Sequence, residues 1–265
     1  MEKMNTAEML NSLVNTPLNS DMTYAQERCQ ILNADVGHLH EVDGYECTEC
    51  KNKGCIYIPN GETEVMSRAC PKCSKIRSSL FSIAKSGLGE YEFSNFTVSE
   101  RGNWEENLLT NVVNYVRCNG NHWLYVSGQQ GSGKTHICTA ALKNLIFMQD
   151  VTGLVLRWVD DSKRLKRFTN DDSIETEIAK YKNVPLLYID DFFKGNTVTS
   201  ADINLAFDII DYRYTKKLIT VISSEKSIDE IINIDEALGG RIKQRAKNYT
   251  YHIRKDRNKD HRLKD

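Results

Sequence analysis

The chain has 265 residues, 35 of them Lys or Arg against 36 Asp or Glu, for a formal net charge of −1. That length holds one large domain and a small one, and the balanced charge excludes a polycation, so any nucleic-acid contact must use local patches. No apolar run approaches the ~18 residues of a membrane span, and the polar start MEKMNTAEMLNSLVNTPLN lacks a signal-peptide core, so a cytoplasmic protein without membrane contact is expected.

In chain order, Met4, Met9, Leu10, Leu13 and Val14 form one apolar stripe before Pro17, and a second helix is expected from about Met22 to Leu32. Residues 47–73 then carry two CxxC pairs, Cys47 with Cys50 and Cys70 with Cys73. Each pair offers two thiolates to one ion, and together they close a tetrahedral four-cysteine zinc site, a zinc-ribbon pattern. The run between the pairs fits a hairpin turning at Pro59-Asn60-Gly61. Such a segment has too little core to fold alone, so the metal supplies its stability. Cys55 is a fifth candidate able to displace one of the four. His38 and His40 also lie nearby, and Cys29, Cys118 and Cys138 read as buried thiols. SKIRSSLFSIAKSGL reads as an amphipathic helix ended by Gly87, and GEYEFSNFTVSERG as a polar connector with spaced aromatics. The domain boundary is expected near residue 85, giving regions 1–85 and 86–265.

The chemistry centres on Gly128-Gln129-Gln130-Gly131-Ser132-Gly133-Lys134-Thr135, a phosphate-binding P-loop followed by His136. HWLYVS before it suits a buried strand, and KTHICTAALKNLIFM after it suits a helix. Glycines there allow the backbone N–H groups to turn toward phosphate oxygens, and the helix N-terminus adds positive potential. Lys134 is expected on the β- and γ-phosphates of ATP, and Thr135 on magnesium.

Downstream, GLVLRWV at 153–159 is a strand, followed by a helix or loop carrying Lys163, Arg164, Lys166 and Arg167. Leu186 to Asp191 (LLYIDD) is an apolar strand ending in two carboxylates, a Walker B arrangement. Asp190 would support magnesium, and Asp191 would orient the attacking water. Helices are expected at 104–117, 173–182, 202–214 and 236–246, with a short one from Ser227 and strands at 218–222 and 249–253. This alternation predicts an α/β fold with a five-stranded parallel sheet.

SGQQGSGKTH at 127–136, LLYIDDFF at 186–193, YRY at 212–214, TVISSE at 220–225, IDEALGGRI at 234–242 and the closing HRLK resemble the DnaC/DnaI family of helicase loaders, AAA+ ATPases, in their phage or prophage versions. The resemblance runs from about Cys47 to the C-terminus. It implies an AAA+ domain without a helical lid and an N-terminal region that grips a hexameric replicative DNA helicase. It also implies delivery of that helicase onto single-stranded DNA, and self-association with ATP bound. If phage-encoded, the protein would work in the host cytoplasm. By position, Ser224 falls at the sensor I site, Arg241 at the arginine finger with Arg245 as its rival, and Arg262 at a sensor II-like site. Lys163, Arg164, Lys166 and Arg167 fall near single-stranded DNA, with Trp158 or Phe168 for stacking. Asp191 departs from the usual Asp-Glu pair, which is consistent with slow, switch-like hydrolysis. Two other readings fit the core: an IstB-type transposition ATPase, and a nucleotide-binding adaptor that inhibits a host helicase.

Overall fold

The computed structural model describes residues 22–98, 103–118, 122–167, 172–195, 197–256 and 259–260. The expected stripe from Met4 to Val14 lies outside them. Two compact units emerge, one up to Ser74 and one from Lys75 onward.

In the first unit, helix α1 (Tyr24–Ala34) begins at a capping box. The Thr23 side chain accepts from the Gln26 N–H, and the Gln26 side chain accepts from the Thr23 N–H. A short helix α2 (Leu39–Asp43) stops at Gly44, which takes the left-handed conformation. Strands β1 (Cys55–Asn60) and β2 (Glu64–Ala69) pair antiparallel, with Asn60 opposite Glu64. The hairpin therefore turns through residues 61–63, two positions later than expected, because Pro59 is accommodated within the strand opposite Val65. The Asn33 side chain fixes α1 to β1, donating to the Tyr57 carbonyl at 2.7 Å and accepting from its N–H at 3.0 Å. Among the described residues, the buried apolar side chains of this unit are Ala25, Cys29, Tyr45 and the four CxxC cysteines. Its centre is made of sulfur.

Helix α3 (Ser74–Ile83) starts on the last residue of the first unit and carries the chain into the second; it widens over Ala84–Leu88, where Gly87 breaks the helical conformation. A single 3-10 turn follows at Phe93–Asn95. Then come α4 (Asn103–Arg117), β3 (Leu124–Gly128), α5 (Lys134–Gln149), β4 (Gly153–Arg157), α6 (Trp158–Arg167), α7 (Asp172–Asn183), β5 (Leu186–Phe192), α8 (Ser200–Thr215), β6 (Ile219–Ser224), α9 (Ile228–Ile234), α10 (Glu236–Ala246) and β7 (Thr250–Ile253). The strands form one parallel sheet in the order β4-β5-β6-β3-β7. β3 is buried along its whole length and β5 nearly so, which is why both read as apolar runs rather than alternating ones. The expected strand at 153–159 ends two residues early. Trp158 opens α6 instead, and its buried ring meets Phe192 and Phe193 edge-on at 5.0 and 5.4 Å. Trp158 is thereby unavailable for stacking on DNA, and Phe168 lies outside the described residues.

Arg213, the centre of the YRY triplet, is fully buried in α8. Its guanidinium donates to the carbonyls of Tyr181 (2.9 Å) and Lys182 (3.2 Å) at the end of α7, to Val184 (2.7 Å) before β5, and to Ile219 of β6. It thus satisfies helix-end carbonyls that the fold has buried away from water. Burial pushes its pKa down to about 9, which still leaves it charged at neutral pH.

Candidate nucleotide and metal sites

The order of strands brings the ends of β3, β6 and β5 side by side, with β6 between the P-loop strand and the Walker B strand. Ligands of open α/β sheets bind outside such carboxyl ends. Gly128 leaves β3 at φ 123, and a Cβ there would sit 2.1 Å from the Ile253 carbonyl oxygen, so only glycine fits between β3 and β7. Gly133 takes φ 77 at the N-cap of α5, with the Phe96 ring against it. Lys134 is buried, and its ammonium donates to the Gly128 and Gln129 carbonyls at 2.9 and 2.6 Å. Burial lowers its pKa; Asp191 and Glu225 pull it up, and Lys194 pushes it down again.

Thr135 and Asp190, the expected magnesium pair, already meet. Asp190 Oδ1 accepts from Thr135 Oγ1 at 2.9 Å, from the Tyr188 hydroxyl at 2.6 Å and from Ser223 Oγ at 2.9 Å. Three hydroxyls thus fix one carboxylate oxygen. Burial, with Asp190 beside it, raises the Tyr188 pKa well above its usual value, which keeps that phenol a donor. The register between β5 and β6 slips between Ile189 and Phe192, a bulge that re-aims successive side chains. As a result Asp190 meets Thr135 while its neighbour Asp191 lines the cleft.

That cleft, about 250 Å³, is lined by the P-loop from Gln130 to His136, by Tyr91, Phe96 and Thr97, and by Asp191, Lys194 and Glu225. His136 stacks on Tyr91 (4.8 Å), meets Phe96 edge-on (5.2 Å), and lies 2.8 Å from the Glu92 carbonyl through Nε2. Lys143 ties the same segment to α5 by donating to the Gly89 carbonyl at 2.8 Å and to the Glu92 carboxylate.

Several expected site residues fall elsewhere. Ser224 is fully buried, and its hydroxyl donates to the Phe192 carbonyl at 2.7 Å. The end of β6 reaches the site through Ser223 and Glu225 instead, because strand alternation turns Ser224 the other way. Gln129 turns from the cleft to accept the Asp256 N–H at 2.6 Å. Arg241 does not reach this cleft. Its guanidinium pairs with Asp211 at 2.7 Å and lies over the Phe207 and Tyr214 rings at 4.9 and 5.6 Å. Arg164 is clamped by Asp161 and Glu177, and Lys166 by Asp202. Lys163 is exposed and forms no ion pair among the described residues, and Arg167 ends α6. Arg262 lies outside the described residues. Sequence reasoning passes over Tyr91, Phe96, Tyr188, Lys194, Ser223 and Glu225. The spaced aromatics of GEYEFSNF are visible in the sequence, but nothing local ties them to a P-loop some thirty residues on.

In the first unit, Cys47, Cys50, Cys70 and Cys73 are buried, with their sulfurs within 4.8 Å of one another. Cys47 and Cys70 are 3.8 Å apart, and Cys50 and Cys73 are 3.6 Å apart. A tetrahedral zinc with ~2.3 Å bonds spaces its thiolates by about 3.8 Å, so this quartet fits that ion. Asn52 accepts the Cys47 N–H at 2.7 Å and the Gly54 N–H points to Cys50 Sγ at 3.2 Å, shaping the knuckle. Cys55 and His38 stand outside the quartet. Cys55 begins β1, and His38 lies on the surface beside Glu41.

No helix among the described residues is long and apolar enough to cross a membrane. Comparison with known proteins matches residues 62–264 to the family described as IstB-like ATP binding protein. The protein YqaM of Bacillus subtilis (strain 168) is 31% identical over 229 residues, covering 80% of this chain and 72% of that one. The phage-like element PBSX protein XkdC of the same strain is 27% identical over 232 residues, covering 82% and 86%. A crystal structure of the DnaC helicase loader superposes with a TM-score of 0.50 at 19% identity, over 64% of this chain and 99% of that one, a likeness of fold. The P-loop, its carboxylate pair and the strand order agree with the sequence match, and the chain belongs to the IstB-like ATP-binding family of AAA+ ATPases.

Proposed function

We propose that this ATPase loads a hexameric replicative DNA helicase onto single-stranded DNA, working in the cytoplasm. The observation that carries this reading is the pairing of a helicase-loader fold with a separate four-cysteine unit. The N-terminal region, expected over about residues 1–85 but compact only up to Ser74, would hold zinc through its four cysteines and grip the helicase. The ATPase domain, expected from about residue 86 but compact from Lys75 onward, would couple that grip to nucleotide. Tyr91 and Phe96 offer an aromatic wall to the adenine. Lys134 would exchange its two carbonyl partners for phosphate oxygens, and Thr135 with Asp190 would hold magnesium, which supplies charge neutralisation at the phosphates.

Because Arg241 sits away from its own cleft, its action as a finger requires a second copy of the chain. Assembly with ATP bound would draw it from Asp211 toward the neighbour's terminal phosphate. Mixing Arg241→Ala with Lys134→Ala protein then restores part of the turnover that each lacks alone. DNA contact on α6 would rest on Lys163, with Arg164 and Lys166 contributing only after leaving their carboxylates.

The family match favours a second reading, in which the same ATPase serves a transposase. Co-precipitation of the full chain with a hexameric replicative helicase, with ATP and with ADP, separates the two. Retention of the helicase, followed by its appearance on single-stranded DNA, is expected. Retention of a transposase and not of any helicase overturns the loader reading. Lys134→Ala should abolish ATP turnover, and unchanged turnover would remove Lys134 from the site.

A further inference from the structure

The geometry points to Lys194 as an in-chain cation for the terminal phosphate of ATP, held in the free protein by Asp191 and handed over when nucleotide binds. This rests on the ATP-binding reading of the cleft and adds a residue outside its sequence motifs.

Lys194 Nζ lies 2.7 Å from Asp191 Oδ2 and 3.7 Å from Glu225 Oε1, and all three side chains line the cleft. Glu225 Oε1 is buried and accepts no hydrogen bond among the described residues, so this oxygen meets the Lys194 charge across 3.7 Å rather than through a donor in contact. Among the described residues, Lys134 and Lys194 are the lysines in the lining, and Asp191 and Glu225 are its carboxylates. The charges of these described side chains are therefore close to balanced before a polyanion enters. Two carboxylates facing an incoming phosphate repel it unless a cation stands between them. Lys194 occupies that place, and a phosphate competes well for it, because its charge exceeds that of Asp191 and it offers more acceptor oxygens.

The backbone fixes this placement. Phe192 and Phe193 are fully buried, stack at 4.1 Å and anchor beneath Trp158. Between and beside them the chain takes positive φ at Asp191 (55°), Phe193 (51°) and Gly195 (108°). Two of these residues carry a Cβ, a conformation costing about 1 kcal/mol or more each and kept where a site is over-determined. The Lys194 N–H closes the turn on the Asp191 carbonyl at 3.0 Å. Both side chains are thereby delivered to one cleft. In the free protein the pair engages Asp191 Oδ2 and so competes with water for that oxygen. Transfer of Lys194 to the terminal phosphate releases Asp191 to orient water. ADP, lacking that phosphate, leaves the pair intact.

The test measures magnesium-dependent binding of ADP and of a non-hydrolysable ATP analogue to the full chain by calorimetry. In Lys194→Met, analogue affinity is expected to fall about tenfold or more while ADP affinity stays within about twofold, the size of one charge-assisted contact. Lys194→Arg should restore the discrimination. Asp191→Asn, which frees Lys194 beforehand, should raise analogue affinity relative to ADP. Equal changes for both nucleotides in Lys194→Met, or none, overturn the inference, and retained ADP binding reports that the variant is folded. Should Lys194→Met fail to fold, an unmoved analogue-to-ADP ratio in Asp191→Asn overturns it alone. If the wild-type chain binds neither nucleotide, the reading of the cleft fails as well, an outcome distinct from failure of Lys194 alone.

Discussion

The two units hold together by different physics. The first gathers four buried cysteines and little other apolar side chain, whereas the second encloses a continuous core from Trp123 through the strands to Ile242. A core of sulfur has little hydrophobic stabilisation of its own, so its fold would depend on the metal that the four thiolates fit. A core of Leu, Ile and aromatic rings loses one contact at a time. The lesson is that one chain can join a unit built on thiolates to one built on an apolar core, so that each is expected to answer to a different perturbation.

Chelation should break the comparison most sharply. Removing the metal, or substituting Cys70→Ser, is expected to unfold the first unit outright, since structural zinc contributes on the order of 10 kcal/mol at neutral pH. Hydrogen exchange across residues 55–69 would become fast while residues 186–192 stay protected. Slow exchange in both segments after complete metal removal would refute the division. Arg213→Met is the matching blow to the second unit. It strands carbonyls from α7, the loop before β5 and β6, and a cost of about 3–5 kcal/mol is expected. Denaturant unfolding of the full chain with zinc present should show that unit melting early and the zinc unit unaffected. Arg213→Lys should recover little, because three donors on a point charge cannot replace a planar fork.

How much of this the amino-acid order discloses follows the same divide. Motifs whose chemistry is local are legible: the CxxC pairs, the P-loop, and the two carboxylates ending LLYIDD. The parallel sheet also follows from apolar runs alternating with helical periods. What escapes is set by neighbours distant in the chain. Position alone favours Ser224 over Ser223 and Glu225, because which face of β6 turns toward Asp190 is settled only by its pairing with β5. The basic cluster on α6 reads as a free patch because the carboxylates of Glu177 and Asp202 arrive from α7 and α8. Trp158 reads as available to DNA because the Phe192–Phe193 pair that buries it lies a strand away.

Smaller effects sharpen the picture within the second unit. Tyr188→Phe removes one of three donors from the buried Asp190 carboxylate, and a loss of about 1–2 kcal/mol is expected both in magnesium-nucleotide affinity and in the stability of the free protein. A magnesium titration of nucleotide binding reads it directly, and an unaltered midpoint would show the phenol to be idle. Asp211→Asn is the mildest. By loosening Arg241 it should favour ATP-dependent self-association a few-fold, within the ~1 kcal/mol of a part-exposed ion pair. Sedimentation at several protein concentrations would detect the shift, and no shift would mean that Asp211 does not restrain Arg241.

The buried guanidinium of Arg213 has one more implication. It joins a helix end, a loop and a strand that lie 28 to 32 residues away or on the next strand, much as a cross-link would, yet it contains no sulfur. Oxidants and thiol reagents that attack cysteine would dismantle the first unit and leave this fastening untouched. A cell under oxidative stress would therefore be left with an ATPase domain still folded around its cleft and a first unit that has lost its cysteine centre.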